Sequence, residues 1–336
     1  MSMVNLSLAQ LHELTRSVLR ANNTSEANAQ AVARALVAAE ADGQKGHGAS
    51  RIPSYAAQSR SGKVDGFAAP SCTEIGPGAV RIDARCGFAY PALELAIEAL
   101  RQRAPESVVA LASIGNSHHS GVAAHHVAPL AKAGLIGLSF GNGPQGIAPW
   151  GGNKGLFGTN PVAFAAPRAQ APPLVIDMSL SKVARGKVNV AAQRGEFIPE
   201  GWALDAHGAP TTDPKAALAG TMLPMGDAKG AQLVLMVEIL AGALSASNFG
   251  YEASSFFAGE GDPPRAGQLL LAIAPDELSA GTFAGRVGEL CEAILAQPGT
   301  RLPGTSSLAA RAKAEQSGVD LPQALYRELL QLGGGS

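Results

Sequence analysis

Apolar residues recur at three- and four-residue intervals through Leu8, Leu11, Leu14, Val18 and Leu19, with Ser7 placed to cap the run and Gln10 three residues on. That spacing predicts an amphipathic helix, which Asn22-Asn23-Thr24 breaks. A second helix is predicted over residues 25–41, with Val32, Leu36 and Val37 on its stripe and Gly43 as its stop. Farther on, the pattern predicts a helix over 90–100, an apolar strand over 108–114 and a polar turn over 115–121. A helix to about 133 and a strand over 135–140 follow. The strand–turn–helix–strand order resembles a βαβ unit and predicts some parallel pairing. A further strand is expected at 175–179, ending in polar residues, and a fully buried one at 267–275. Residues 229–247 are apolar on most faces, predicting a long buried helix, and 284–297 predict a closing helix. The result is an α/β chain without internal repeats.

Hydrophobic residues make up 46% of the 336, enough for a large core; length alone allows one large domain or two smaller ones. Only 16% are charged and the formal net charge is -1, so no basic stripe exists to neutralise phosphates and no nucleic-acid partner is expected. A low charged fraction on a long chain also suits surface hidden in an oligomer. Cys72, Cys86 and Cys291 are far apart and odd in number, which supports neither a disulfide framework nor a zinc site. Residues 1–10 lack a basic region followed by an apolar run, and no apolar window reaches the roughly 18 residues of a membrane span. A soluble, cytoplasmic protein with no membrane association is expected, with residues 333–336 as a flexible tail.

No GxGxxG lies between a predicted strand and helix, so a dinucleotide would have to bind by a fold other than Rossmann. Of seven histidines, His118, His119, His125 and His126 crowd one strand-to-helix junction. They read equally as surface histidines or as a site, and no carboxylate stands at ligand spacing beside them to complete a metal centre. His47 and Arg51 are four apart, with glycines on both sides of the histidine. Arginine can hold a carboxylate by two parallel hydrogen bonds while imidazole exchanges a proton on the neighbouring oxygen; the alternative is a helix-end histidine and a solvated arginine. Gly158-Thr159-Asn160-Pro161 offers donors to the same carboxylate or is simply a turn. Asp177 and Ser179 could face ribose or phosphate, or merely cap. Lys229 opens a predicted helix, where positive charge and the helix terminus both attract phosphate, although a solvated lysine is the ordinary case.

Several segments, taken in order, resemble the malate/L-lactate dehydrogenase family, whose fold is not Rossmann. They are residues 42–51 (DGQKGHGASR), Asn116-Ser117-His118-His119, Phe157-Gly158-Thr159-Asn160-Pro161 with Phe164, 175–179, and 199–215 (PEGWALDAHGAPTTDPK). The family also includes sulfolactate and ureidoglycolate dehydrogenases and Δ1-piperideine-2-carboxylate/Δ1-pyrroline-2-carboxylate reductases. The likeness runs from the first helix to about Arg311. It implies an α/β fold with a mixed sheet and surrounding helices. Residues 1–332 would form a single catalytic unit, with helical parts at about 1–75 and 280–332 packed on a central NAD(P)-binding part at about 76–279.

The same resemblance implies the roles. His47 and His119 would be the catalytic pair, either of them moving the proton. Arg51 and Thr159 would hold the carboxylate. His119, Ser120, Gly121, Val122 and Ala123, together with Asp177, Met178 and Ser179, would line NADPH or NADH, as would Lys229, Arg301 and Gly304. A homodimer with the site near the interface, a small carboxylate substrate and no metal are implied as well. Two departures bear on the substrate. The family's cyclic-imine reductases often have Ser before the catalytic histidine, where Gly46 stands, and an acidic residue where Lys187 stands. Lysine at that position suits an anionic 2-keto acid, since opposite charges attract at short range. Residues 249–261 (FGYEASSFFAGEG) resemble the sulfolactate dehydrogenase branch. The expectation is therefore hydride transfer at C2 between a small 2-keto acid and its 2-hydroxy acid, with cyclic ketimine reduction to pipecolate or proline as the alternative.

Overall fold

Strand Ala266–Ile273 is apolar on both faces, and the fold is organised around it. Because side chains alternate along a strand, Leu270 and Ala272 enter one hydrophobic core while Leu269 and Leu271 join a second core on the opposite face. The computed structural model describes residues 2–334. Among these, a seven-stranded sheet runs in the order Ser71–Gly76, Ala79–Asp83, Val109–Ser117, Ala266–Ile273, Ile136–Gly141, Val162–Arg168, Ala171–Met178. Its only parallel neighbours are Ala79–Asp83 and Val109–Ser117.

The sheet is mixed, as expected, but not for the expected reason. The two strands of the apparent βαβ unit, Val109–Ser117 and Ile136–Gly141, do not pair. Ala266–Ile273 lies between them, antiparallel to both. A strand buried on both faces and paired on both edges is the most apolar in the sheet, and it comes from far along the chain, where local pattern cannot reveal its neighbours. The polar turn expected at 115–121 also starts later, because Gly115, Asn116 and Ser117 remain in the strand, Ser117 opposite Ala266.

The first core packs helices Leu8–Ala21, Glu26–Ala41, Ile52–Ser61 and Ala89–Ser107 against the sheet through Leu11, Val18, Leu36, Tyr55 and Leu93. The capping box at Ser7 forms as expected: Gln10 N donates to Ser7 Oγ at 3.1 Å and Ser7 N to Gln10 Oε1 at 2.9 Å. The second core joins Phe140, Ile147, Leu180, Val188, Val234 and Leu269. The chain ends meet. Strand Met3–Leu6 pairs with Val319–Pro322, helix Gln323–Leu332 packs on Leu8–Ala21, and Arg311 grips Asp42 through Nε at 2.6 Å and Nη2 at 2.7 Å.

Two further expectations need correction. The segment over 229–247 is an α-helix, Asp227–Glu238, that runs into a π-helix, Ile239–Ala243. It is not buried all round: Leu235, Met236, Ile239 and Leu244 are 44–56% exposed. The helix at Phe283–Leu295 does not close the chain, since Thr305–Ser317 and Gln323–Leu332 follow. Of the expected flexible tail, Gly333 and Gly334 form a turn held by bonds to Leu329 O and Gln331 O, and residues 335–336 lie outside the described residues. No helix among the described residues is long and apolar enough to cross a membrane.

Candidate active site

The loop after helix Glu26–Ala41 makes two short 3-10 turns, Lys45–His47 and Ala49–Arg51, and runs directly into helix Ile52–Ser61. Buried Glu40 holds the loop through Ala49 N at 2.9 Å. From the helix start, Arg51, Tyr55 and Gln58 follow at spacings of four and three, so all three project from one face. The opposing wall comes from the end of strand Val109–Ser117, where His118 and His119 leave the sheet edge and turn inward.

These histidines are not on the surface. His118 is 1% exposed and His119 is 8% exposed. The imidazoles of His47 and His119 stack with centroids 5.2 Å apart and planes 11° from parallel. Tyr55 Oη meets His119 Nδ1 at 2.6 Å and Tyr90 Oη at 3.2 Å. Gln58 Nε2 donates to Phe256 O and Ala258 O, both at 3.0 Å. Its amide orientation is thereby fixed, so Oε1 faces His118 Nε2 at 2.8 Å and that nitrogen carries the proton. Phe256 lies against both His118 and His119. Lys63 fastens the same loop, its Nζ reaching Ser255 O at 2.7 Å and Ala258 O at 3.1 Å.

Arg51 is preorganised. Its Nε donates to Gly46 O at 2.7 Å, and Phe257 covers the guanidinium with its centroid 4.2 Å from Cζ. Buried Nη1 has no partner among the described residues, and neither has His47 Nδ1. A buried donor left unpaired costs on the order of 1–3 kcal/mol, which an incoming carboxylate would recover. The electrostatics follow from the same crowding. Burial first, and the Arg51 charge second, holds the His47 imidazole down at about 4. His119 is pushed well below its ordinary value by burial and then by Arg51, and His118 down to about 3. Burial raises both phenols, Tyr90 to about 12. The pocket is therefore a set of neutral rings beside the buried cations Arg51 and Lys63.

Thr159 and the residues expected to line a dinucleotide form a continuous chain of contacts. Leu180 N donates to Thr159 O and Met225 N to Leu180 O, both at 2.8 Å, which ties the Thr159 turn to Ser179 and to the start of the helix carrying Lys229. The Asp177 carboxylate accepts Ala124 N–H at 2.8 Å, joining Met178 and its strand to the segment His119, Ser120, Gly121, Val122, Ala123. Gly121 sits at φ +70°, and a Cβ there would lie 2.7 Å from Tyr90 Oη. Gly304 approaches so closely that a Cβ on it would lie 3.1 Å from Val175 O, which brings the Arg301 loop beside that strand.

Lys187 is exposed on helix Arg185–Arg194, in a groove with Phe197 and Trp202. His125 and His126 take other partners, Asp42 Oδ2 and Ser120 O, both at 2.8 Å. Among the described residues no three His, Cys, Asp or Glu side chains gather as a metal-binding group.

Sequence reasoning missed Tyr55, Gln58, Phe256 and Phe257, and it missed Glu238. The helical spacing from Arg51 was the signal for the first two. Buried Glu238 accepts Asn142 Nδ2 at 3.0 Å, Gly250 N at 2.7 Å and Asn160 Nδ2 at 2.7 Å, so one carboxylate fastens three loops around the pocket.

Known proteins agree with this architecture. The chain matches the malate/L-lactate dehydrogenase family model over residues 6–330. It is 49% identical over 324 residues to a (2R)-3-sulfolactate dehydrogenase (NADP(+)) of Chromohalobacter salexigens, covering 96% of each chain. It is 40% identical over 338 residues to a Delta(1)-pyrroline-2-carboxylate/Delta(1)-piperideine-2-carboxylate reductase of Pseudomonas putida, covering 99% of this chain and 98% of that one. The crystal structure of delta1-piperideine-2-carboxylate reductase from Pseudomonas syringae pvar. tomato superposes with a TM-score of 0.93 at 39% identity, over 98% of this chain and 99% of that one. On fold, on full-length sequence and on the family model alike, the chain belongs to the malate/L-lactate dehydrogenase family and is an oxidoreductase of that kind.

Proposed function

We propose that the protein interconverts a small anionic 2-keto acid and its 2-hydroxy acid with NADPH or NADH, acting as a single catalytic unit over residues 1–332. The observation that carries this is the unpaired Nη1 of buried Arg51 beside the stacked His47 and His119 rings. A carboxylate on Arg51 and Thr159 sets the neighbouring C2 oxygen near the imidazoles, the positioning that proximity catalysis requires. The residues suit a nicotinamide dinucleotide. Gly121 lets this segment's backbone pack against Tyr90 where a Cβ would collide, and exposed Lys229 and Arg301 offer charge to phosphates. The bound nicotinamide supplies or accepts the hydride. The protein excludes water with Phe256 and Phe257, orients the acid with Arg51, and moves a proton at the C2 oxygen through a histidine.

The sulfolactate dehydrogenase likeness at 49% identity and the positive charge of Lys187 favour a substrate with a second anionic group. The second reading, reduction of a cyclic ketimine carboxylate to pipecolate or proline, is favoured by the 40% identity to the pyrroline/piperideine-2-carboxylate reductase. The Arg51 clamp serves both, with C=N in place of C=O. The deciding experiment follows nicotinamide absorbance with pyruvate, oxaloacetate, sulfopyruvate and Δ1-piperideine-2-carboxylate, each with NADPH and with NADH. Turnover of a keto acid alone supports the first reading, and turnover of the imine alone replaces it with the second.

A cytoplasmic homodimer belongs to the same proposal. Free Cys72, Cys86 and Cys291 suit a reducing compartment. The exposed row Leu235, Met236, Ile239 and Leu244 is the apolar surface a second copy would cover. Light scattering that gives the mass of one chain would refute the dimer.

A further inference from the structure

Resting on the oxidoreductase reading, we infer that His119 does not carry the proton: it is a neutral Nε2–H donor to the substrate's C2 oxygen or nitrogen, locked in that tautomer by Tyr55 and Tyr90, and His47 carries the proton.

Tyr55 Oη has one proton and two close neighbours, His119 Nδ1 at 2.6 Å and Tyr90 Oη at 3.2 Å. Tyr90 Oη has no partner among the described residues except Tyr55. If Tyr90 donates to Tyr55 and Tyr55 donates to His119 Nδ1, both phenol protons meet an acceptor at hydrogen-bonding distance, and the one proton left over sits on His119 Nε2, which is not among the sealed atoms without a partner and is open to an incoming substrate. In the reverse arrangement Nδ1–H donates to Tyr55. The Tyr55 proton is then left with either the His119 carbonyl at 3.4 Å or Tyr90, and in the latter case the Tyr90 proton has no acceptor. An O–H···O contact of that length is a poor bond, and a buried donor without one is costly. The first arrangement therefore prevails, which leaves the single proton of neutral His119 on Nε2, a nitrogen that no group among the described residues takes up.

A ring held this way cannot accept a proton at Nε2, because the lone pair lies on Nδ1 under the Tyr55 hydroxyl. It can only donate a hydrogen bond, the role that stabilises charge growing on a carbonyl oxygen. His47 is the complement. It makes no side-chain hydrogen bond among the described residues, and its buried Nδ1 is free. As C2 is reduced by the hydride, the C=O electron pair moves onto oxygen, which takes a proton from His47 while His119 Nε2–H steadies it; His47, neutral in the free protein, takes that proton from solvent once the substrate carboxylate offsets the Arg51 charge that helps to depress it. Oxidation reverses each transfer, with neutral His47 as the base.

Histidine-selective 15N labelling of the full-length protein reads the tautomer directly, with the His119 signals identified by their loss in His119→Gln. At neutral pH His119 is expected to carry its proton on Nε2, and Tyr55→Phe is expected to remove that preference. A proton on Nδ1, or a charged ring, in the wild type overturns the inference whatever the enzyme turns over. Kinetics supply a separate test, because glutamine retains an N–H donor but cannot exchange protons. His119→Gln should keep about ten times the kcat of His119→Ala, out of the roughly hundredfold or greater loss that removing one such donor causes. At position 47 glutamine should be no better than alanine. Equal losses for glutamine and alanine at 119 overturn the inference. A wild type with the Nε2–H tautomer but no turnover on the panel overturns the oxidoreductase reading alone.

Discussion

Arg51 and Phe257 face each other, guanidinium against ring at 4.2 Å, although one begins a helix near the N-terminus and the other lies in a loop beyond the π-helix. Together with the Gly46 carbonyl, Phe257 leaves the guanidinium one free edge, and that edge is where a carboxylate fits. Arg51→Lys keeps the charge but loses the fixed fork. It should raise KM for the carboxylate substrate about tenfold to a hundredfold with a smaller change in kcat, the range of a charged hydrogen bond worth roughly 1.5–3 kcal/mol. Steady-state kinetics check this, and an unchanged KM would remove Arg51 from the substrate site.

His47→Ala should lower kcat by about a hundredfold or more, within the usual reach of general acid–base catalysis. The pH profile carries a sharper mark. In the proposed 2-hydroxy acid oxidation the base is neutral His47, and burial holds it down at about 4 from an ordinary 6.5. The acid limb of kcat/KM in that direction should therefore lie well below 6.5. A limb at 6.5 would mean that the titrating histidine is a solvated one.

The buried histidines also make the fold sensitive to acid. His47 and His126 take protons only near 4, and His118 near 3, whereas unfolded histidines do so near 6.5. Between those values the unfolded chain binds more protons, so stability is complete above 6.5 and falls as pH drops. The slope is about 1.4 kcal/mol per pH unit for each such residue. Urea midpoints measured downward from neutral pH should decline steadily from 6.5. A flat profile to about 5 would show that these rings are hydrated.

Glu238→Gln should be harmful although the shapes match. All three groups facing the carboxylate are donors, so a glutamine amide must turn its NH2 toward one of them. A loss of about 1–3 kcal/mol in stability is expected, with a raised KM because Thr159 neighbours the released Asn160. Thermal melts and kinetics on the same variant read both. A melting temperature equal to wild type would show that the three loops hold themselves.

Much of this was legible beforehand, for physical reasons that differ from one segment to the next. The capping box at Ser7 and Gln10 is a local device, and the helix begins where it says. The pairing of Ala266–Ile273 between Val109–Ser117 and Ile136–Gly141 is not local, and no periodicity within one segment announces its neighbour. Ser71–Gly76 carries little apolar alternation, and Ala79–Asp83, although Val80 and Ile82 alternate with Arg81 and Asp83, is too short to stand out. At the site, the His47 and Arg51 spacing and the crowding at His118 and His119 pointed to the right segments. Their burial did not show, because the rings that cover them, Tyr55, Phe88 and Phe256, come from other parts of the chain. Tyr55, Phe256 and Glu238 went unread since apolar or acidic residues on helices and loops look ordinary until the chain folds.

Placing Ala266–Ile273 at the centre of the sheet also governs how the chain can reach its native state. On a ribosome, both Val109–Ser117 and Ile136–Gly141 are made long before the strand that separates them. Until residue 273 emerges, each presents an open hydrogen-bonding edge, and each offers the other a wrong neighbour. Such long-range closure slows folding and lengthens the time spent exposed to aggregation. Nascent chains stalled before residue 266 should accordingly lean on chaperones, while release of a few dozen residues more lets the late strand slot in and seal both edges at once.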